Sequence, residues 1–463
     1  MSIKKIIMSL AVLSVLPVTV SSQTFETAAE AVANMRVGWN LGNTLDSNSG
    51  NVNNMWIEAW TNRSPSAYET AWGQPVTTPA LFKMFKEAGF NAIRVPVTWY
   101  PHMEATFNTV KWNSANNALE PWDPATDDIG TKIQTAWMQR VHEIVDYVIG
   151  QGMYCILNIH HDTGNDNTAW IVADEANYTK QRERFEAVWK QIAEEFKDYD
   201  EHLLFEGYNE MTDVAKSWCF ASFGASGGYN ASIATSAYNA INSYAQSFVN
   251  TVRSTGGKNA QRNLIVSTYA ACCGEGSWNA HLLDPLKQMK KPAGETDHVI
   301  FEVHSYPSIK NSLASAKTSV TNMMSSLQTL LASKGAPVII GEWGTANDIQ
   351  SNTDDYDVRR ADKVSFARHF VEQAKAKGIA TFYWMGLSDG DHRSVPEFNQ
   401  SELVDAIIKG YYGEQGNTQV STPVSSGLQP QTYYDLQGRK QQTLRHGINI
   451  VRASDGSVRK VLK

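Results

Sequence analysis

Cysteine is scarce in this chain: four residues in 463, at Cys155, Cys219, Cys272 and Cys273. None sits at the paired CxxC spacing of a structural zinc site, and no HExxH pattern offers a helical one. A basic excess is lacking too. Forty Lys and Arg face 47 Asp and Glu, for a net charge of −7. That balance leaves no electrostatic footprint for nucleic acid or an anionic membrane surface. No glycine-rich phosphate loop follows the first expected strand. The segment there is Leu41-Gly42-Asn43-Thr44-Leu45-Asp46, which argues against a doubly wound dinucleotide fold. The apolar run Ile6–Val20 is shorter than the ~20 residues that span a bilayer, and Pro17 interrupts it.

That run has another reading. Lys4 and Lys5 precede it and the small residues Ser21 and Ser22 follow, the layout of a secretory signal peptide cut near Ser22–Gln23. No cysteine lies at the cut, so a lipoprotein is not expected. Residues 1–22 are set aside, and the mature protein is expected outside the cell or on its surface. Export permits disulfides; Cys219 could pair with Cys272 or Cys273, while Cys155 sits in an apolar strand as a buried free thiol. Hydrophobic residues make up 42% and charged residues 19%, as in ordinary globular proteins. The 14 tryptophans exceed ordinary core needs, and an indole suits the flat C–H face of a neutral sugar. Trp72, Trp99, Trp278 and Trp343 are possible stacking platforms, though for any single tryptophan the core reading stands beside the binding one.

Eight short segments read as strands: 36–40, 91–97, 153–159, 203–208, 264–268, 299–304, 338–342 and 381–385. Several are apolar nearly throughout, as parallel strands covered by helices are. Helical periodicity falls between them at 79–86, 132–149, 180–196, 237–252, 315–331 and 359–376. The clearest is 132–149, with Ile133, Trp137, Val141, Ile144, Val145 and Val148 on one stripe. Gly89, Gly152, Gly335 and Gly378 stand where helices end. The alternation implies an α/β fold, a closed (β/α)8 TIM barrel ending near Tyr411 or Tyr412. Residues 413–431 read as a polar linker, and 432–463 as a small C-terminal tail of two or three short strands.

In such a barrel the site gathers at the C-terminal strand ends. The second strand carries Arg94; the third ends at His160-His161-Asp162; the fourth leads to Asn209-Glu210. The sixth ends at His304-Ser305-Tyr306, the seventh at Glu342, and the eighth carries Trp384. Glu210 and Glu342 would converge across the mouth. A glycosidic bond needs such a pair: one carboxyl protonates the leaving oxygen, the other attacks or stabilises the anomeric carbon. A single glutamate at a strand end is as readily structural, and His-His-Asp could suggest a metal. Neighbouring residues on a strand point to opposite faces, however, which weakens the metal reading. Glu206, two pleats below Glu210, reads as a buried structural carboxylate paired with Arg94.

The segments GWNLGNTLD (38–46), ETAWGQPVTT (69–78), GFNAIRVPVTW (89–99), LNIHHD (157–162), LLFEGYNE (203–210), VHSYP (303–307) and VIIGEWG (338–344) together carry a resemblance. The chain resembles glycoside hydrolase family 5, the retaining β-glycanases of cellulase type. It looks closest to the subfamily 4 endoglucanases and xyloglucanases. The resemblance implies Glu210 as acid/base and Glu342 as nucleophile. It implies Arg94 and Tyr306 as holders of Glu342, His304 as the neighbour of Glu210, and Asn209 as a ligand of the sugar 2-hydroxyl. His160, with His161 beside it, would contact the sugar, Trp384 would floor it, and Asn43 is a further candidate. It implies a β-glucan partner, no metal or other cofactor, and a monomer. Mannan or xylan as substrate, and a non-catalytic polysaccharide binder, are the alternatives. Two departures stand out: Met211 where the family has proline, and Trp384-Met385-Gly386-Leu387 where the subfamily has Trp-Asp-Asn-Gly. The tail, with YDLQGR, GINIV and a basic end, resembles the sorting domains of type IX secretion cargo.

Overall fold

Eight short parallel strands close into a barrel in the computed structural model. It describes residues 25–415 apart from 52, 62–63, 105–111, 114–117, 120–129 and 346–354, together with the strands of the tail. The barrel strands are β1 (Val37–Asn40), β2 (Ala92–Val95), β3 (Tyr154–Asn158), β4 (Leu203–Glu206), β5 (Leu264–Cys272), β6 (Val299–Ser305), β7 (Val338–Trp343) and β8 (Ala380–Tyr383). Each pairs with its sequence neighbours, and β8 closes on β1. The helices that cover them include α1 (Pro79–Ala88), α2 (Thr135–Ile149), α3 (Glu175–Glu195), α4 (Ala231–Ser254), α5 (Asp284–Gln288), α6 (Leu313–Ser326), α7 (Asp355–Ala376) and α8 (Ser401–Tyr412).

Strand alternation sorts two cores. Ile93, Val95, Leu203, Phe205, Phe301 and Val303 face outward, into a layer shared with the helices. Ile156, Leu204, Ile265, Ile300, Ile339 and Phe382 face inward and fill the base of the barrel. The helix Ala28–Met35 seals that base with Ala31, Val32 and Met35. Above this plug the inward positions turn polar, beginning with Arg94, Glu206 and Glu302, all fully buried.

The phase is reset within β7, and the site depends on it. Val303 pairs with Ile340, but the next residue of β6, His304, pairs with Glu342. Gly341 is therefore the extra residue of a bulge. Without it, Ile339 inward would put Glu342 outward. A side chain at Gly341 would also meet the Glu302 carboxylate at 1.6 Å, so glycine is required there.

Several expectations are corrected by local chemistry. Helices α3 and α4 start earlier than their apolar stripes, because Asp174 and Asn230 cap first turns that lie before those stripes begin. Helix α5 was not foreseen, being short. Strand β4 ends at Glu206 and β8 at Tyr383, so Glu210 and Trp384 stand just beyond their strands. The tail holds four short antiparallel strands rather than two or three. The expected leader and most of the expected linker lie outside the described residues. Gly89 and Gly335 do end helices in the left-handed conformation, at φ 111° and 92°. No disulfide forms: all four cysteines are free thiols. The Cys272 sulfur lies 3.8 Å from the Ala270 carbonyl.

The approach to β4 is fastened from β5's side by Arg262. Its buried guanidinium donates to the carbonyls of Phe196, Tyr199, Asp200 and Leu203 and to Asn259 Oδ1, at 2.7 to 3.2 Å. A lysine cannot reproduce that fork and would leave several buried carbonyls unpaired. Arg262→Lys is expected to lower stability by about 3 kcal/mol, read from the urea midpoint at unchanged m-value. A loss under about 1 kcal/mol would refute that account.

Candidate active site

Arg94 is the hub at the barrel mouth. Its Nε and Nη2 donate to the two oxygens of Glu206 at 2.6 and 2.7 Å. Nη2 also reaches Asn209 Oδ1 at 2.8 Å, and Nη1 reaches Asn40 Oδ1 at 3.0 Å and Glu342 Oε1 at 2.7 Å. The other Glu342 oxygen accepts the Tyr306 hydroxyl at 2.6 Å. Burial pushes the Glu342 carboxyl above its ordinary value, and His304, Arg94 and Tyr306 pull against that push.

Glu210 stands opposite. His304 Nδ1 lies 2.8 Å from Glu210 Oε1 and 3.5 Å from Glu342 Oε2. One oxygen of each glutamate and a nitrogen of His304 all fall within 4.8 Å of one another. Burial opposes a charge on His304, but Glu342, Glu210 and Glu302 outweigh it and push the imidazole up to about 10. The Glu210 side chain keeps 24% of its surface exposed, against 6% for Glu342.

His160 is buried beside Glu342, with Nε2 3.9 Å from Oε1 and its ring stacked parallel to Trp384 at 5.6 Å. Burial, then the charges around it, push it well below the ordinary histidine value, so it stays neutral. His161 is partly exposed, edge-on to Trp72 at 5.5 Å. Asn43 takes a left-handed turn at φ 58°. Its N–H donates to Asp46 at 3.1 Å. Beside it Gly42 lets the chain touch the Trp384 ring. Asp46, His160 and His161 are close enough to hold a metal. Asp46, however, already accepts the Asn43 and Thr44 N–H groups, and the Asn158 amide faces His160 Nδ1 at 3.1 Å.

All the candidate residues thus gather at one mouth, and Glu206 pairs with Arg94 below it as expected. Among the tryptophans considered as sugar platforms, Trp99 and Trp343 are corrected: both are buried, Trp343 stacked on Phe370 at 4.2 Å. Trp72 is half-buried and Trp278 is 59% exposed. Trp278 belongs to a patch with Phe223 and the buried Phe220, at 5.4 and 6.0 Å, on the loops after Glu210 and β5. Met211 is buried; its N–H donates to Asn209 O at 3.2 Å and its carbonyl accepts from Ala270 at 3.1 Å. After Trp384, Arg393 fastens the loop, donating to the carbonyls of Met385 and Ser388 and across to Gly42 at 2.9 to 3.1 Å. Sequence reasoning missed Arg393, Asn40 and Glu302. Only Glu302 left a signal: a charge inside an apolar strand, two residues before His304.

The chain is similar to known proteins. A profile for cellulase, glycosyl hydrolase family 5, matches residues 52–389. An endoglucanase B of Neocallimastix patriciarum is 33% identical, over 82% of this chain and 71% of its own length. Among solved structures, a GH5-4 broad specificity endoglucanase from an uncultured bacterium is 54% identical, with a TM-score of 0.75. The match covers 84% of this chain and 97% of that one. A family 5 enzyme of Prevotella bryantii in complex with a xyloglucan tetradecasaccharide is 36% identical, with a TM-score of 0.67 over 84% of this chain and 99% of its own. The chain belongs to glycoside hydrolase family 5, the cellulase family.

Proposed function

We propose that the protein is a secreted endo-β-1,4-glucanase in which Glu342 is the nucleophile and Glu210 the acid/base. The observation that carries this is the pair of carboxylates with oxygens within 4.8 Å. Retaining enzymes hold their carboxyl groups about 5–5.5 Å apart, whereas inverting ones leave roughly 6.5–9.5 Å for a water. Arg94 and Tyr306 orient Glu342 towards the anomeric carbon. Protonated Glu210 gives its proton to the departing glycosidic oxygen as the Glu342 ester forms. Esterification removes the Glu342 charge, so Glu210 becomes a stronger acid and ionises. It then takes a proton from water, which attacks and releases the sugar with retained configuration.

Asn209, fixed by Arg94, would meet the sugar 2-hydroxyl. Neutral His160 and the Trp384 face would hold the ring. The expected leader supports export, and the tail supports surface sorting. Xyloglucan and cellotriose appear with solved relatives, and a lichenase is among them, which favours a β-glucan substrate.

Glu342→Ala is expected to lose ~10⁴-fold or more of activity. Azide should then restore turnover of an activated aryl β-glycoside, giving the inverted glycosyl azide. Glu210→Ala should lose ~10²- to 10⁴-fold on glucan, and azide should there give the retained anomer. The opposite stereochemistry in each would exchange the roles, and no azide product from either would refute the pairing.

Trp278 and Phe223 stand beyond Glu210, where the leaving end of a polymer would lie. Trp278→Ala is expected to raise KM on soluble β-glucan about fivefold, corresponding to about 1 kcal/mol of ring contact. KM for a short aryl cellobioside should not change. Equal effects on both would remove the patch from the binding path. A panel of carboxymethylcellulose, lichenan, xyloglucan, glucomannan and xylan, read by reducing sugar, should show the first three cleaved fastest. Preference for mannan or xylan would overturn the glucan reading.

A further inference from the structure

Glu302 has no part in the chemistry above, yet it is fully buried beside it. It precedes His304 by two residues on β6, on the same inward face. The Ser267 hydroxyl donates to one oxygen, Oε2. The other, Oε1, lies 3.4 Å from His304 Nε2 and 3.4 Å from Arg94 Nε. Neither Glu302 Oε1 nor His304 Nε2 has an aligned hydrogen bond among the described residues, so two unsatisfied atoms face each other. Contacts of this kind are often long in an empty site and tighten around substrate. The opposite ring nitrogen, Nδ1, lies 2.8 Å from Glu210 Oε1. His304 thus bridges a permanently buried carboxylate and the partly exposed one.

The surroundings preserve this arrangement. A Cβ on Gly341 would occupy the place of Glu302 Oε1, so β7 gives up a side chain to admit the carboxylate. A buried carboxylate is tolerated only where cations face it. Burial works to neutralise Glu302, but Arg94 and His304 outweigh it and keep its carboxyl below the ordinary value. A neutral residue of similar size would fill the space without that penalty.

We propose that Glu302 is a positioning residue that keeps His304 doubly protonated, so that the Nδ1–H points at Glu210 and favours the ionised form that activates water. Without the Glu302 charge, His304 loses the carboxylate facing Nε2, one of three that hold its second proton beside Glu342 and Glu210. The imidazolium beside Glu210 is then populated less, and Glu210 holds its proton to higher pH. The proposal rests on the acid/base reading of Glu210.

Glu302→Gln keeps the shape and removes the charge. The basic limb of kcat/KM on soluble β-glucan is expected to move up by ~1 pH unit. An unmoved limb, with activity lowered evenly at every pH, overturns the proposal and leaves Glu302 a packing residue. If Glu302→Gln does not fold, the unmodified enzyme answers directly. In enzyme carrying isotope-labelled histidine, with His304 assigned from His304→Gln, both imidazole nitrogens should bear protons at about pH 8, well above the ordinary histidine value. A deprotonated nitrogen there overturns it. A basic limb that survives Glu210→Gln overturns the acid/base reading itself, and this proposal with it.

Discussion

A guanidinium with no exposed surface sits at the centre of this mouth, and most of the surrounding geometry answers to it. Taking Arg94 out of water is tolerable only because Glu206, Glu302 and Glu342 surround it and Asn40 and Asn209 accept its remaining protons. Those partners come from β1, β4, β6 and β7 or the turns after them, so one ion group fixes the relative height of strands far apart in sequence. Breaking a buried pair of this kind typically costs about 3–5 kcal/mol, because the other charge stays behind uncompensated. The same contacts aim Glu342. Stability and orientation are here one interaction.

The two glutamates are held unequally, and the inequality suits their tasks. Glu342 has Arg94 on one oxygen and Tyr306 on the other, in a dry setting. A group that must attack one carbon along one line gains from fixed donors that need no reorganisation. Glu210 has one imidazole partner and an open side facing the cleft. A group that must give up a proton and later reclaim one needs contact with water at the second step.

The barrel was legible from eight apolar segments and their helical spacers, and the site from polar residues clustering where those segments end. Trp99 and Trp343 could not be told from binding platforms, since composition does not report which side of a loop an indole faces. The bulge at Gly341 was hidden for another reason. A single inserted residue leaves no mark in an alternating pattern, yet it decides whether Glu342 looks inward. Arg393 and Asn40 each reach a backbone carbonyl more than 300 residues away in sequence, a group that any residue type would present.

The loops around the mouth are fastened around two hubs, Arg393 and Asp213. Arg393 bolts the loop after β8 to the turn after β1, making one rigid floor under His160 and Trp384. The loop after Glu210 is organised around Asp213 and tied to the loop after β3, where Thr212 donates to the Gly164 carbonyl and Lys216 to Asn165 and Asn167. Asp213 gathers the N–H groups of Ala215, Ser217 and Ser222, and Tyr269 reaches in from β5. No hydrogen bond among the described residues runs from the Asp213 side chain to that floor. Loss of the Asp213 carboxylate would therefore loosen the rim beside Glu210 without breaking a hydrogen bond of the floor that holds His160 and Trp384.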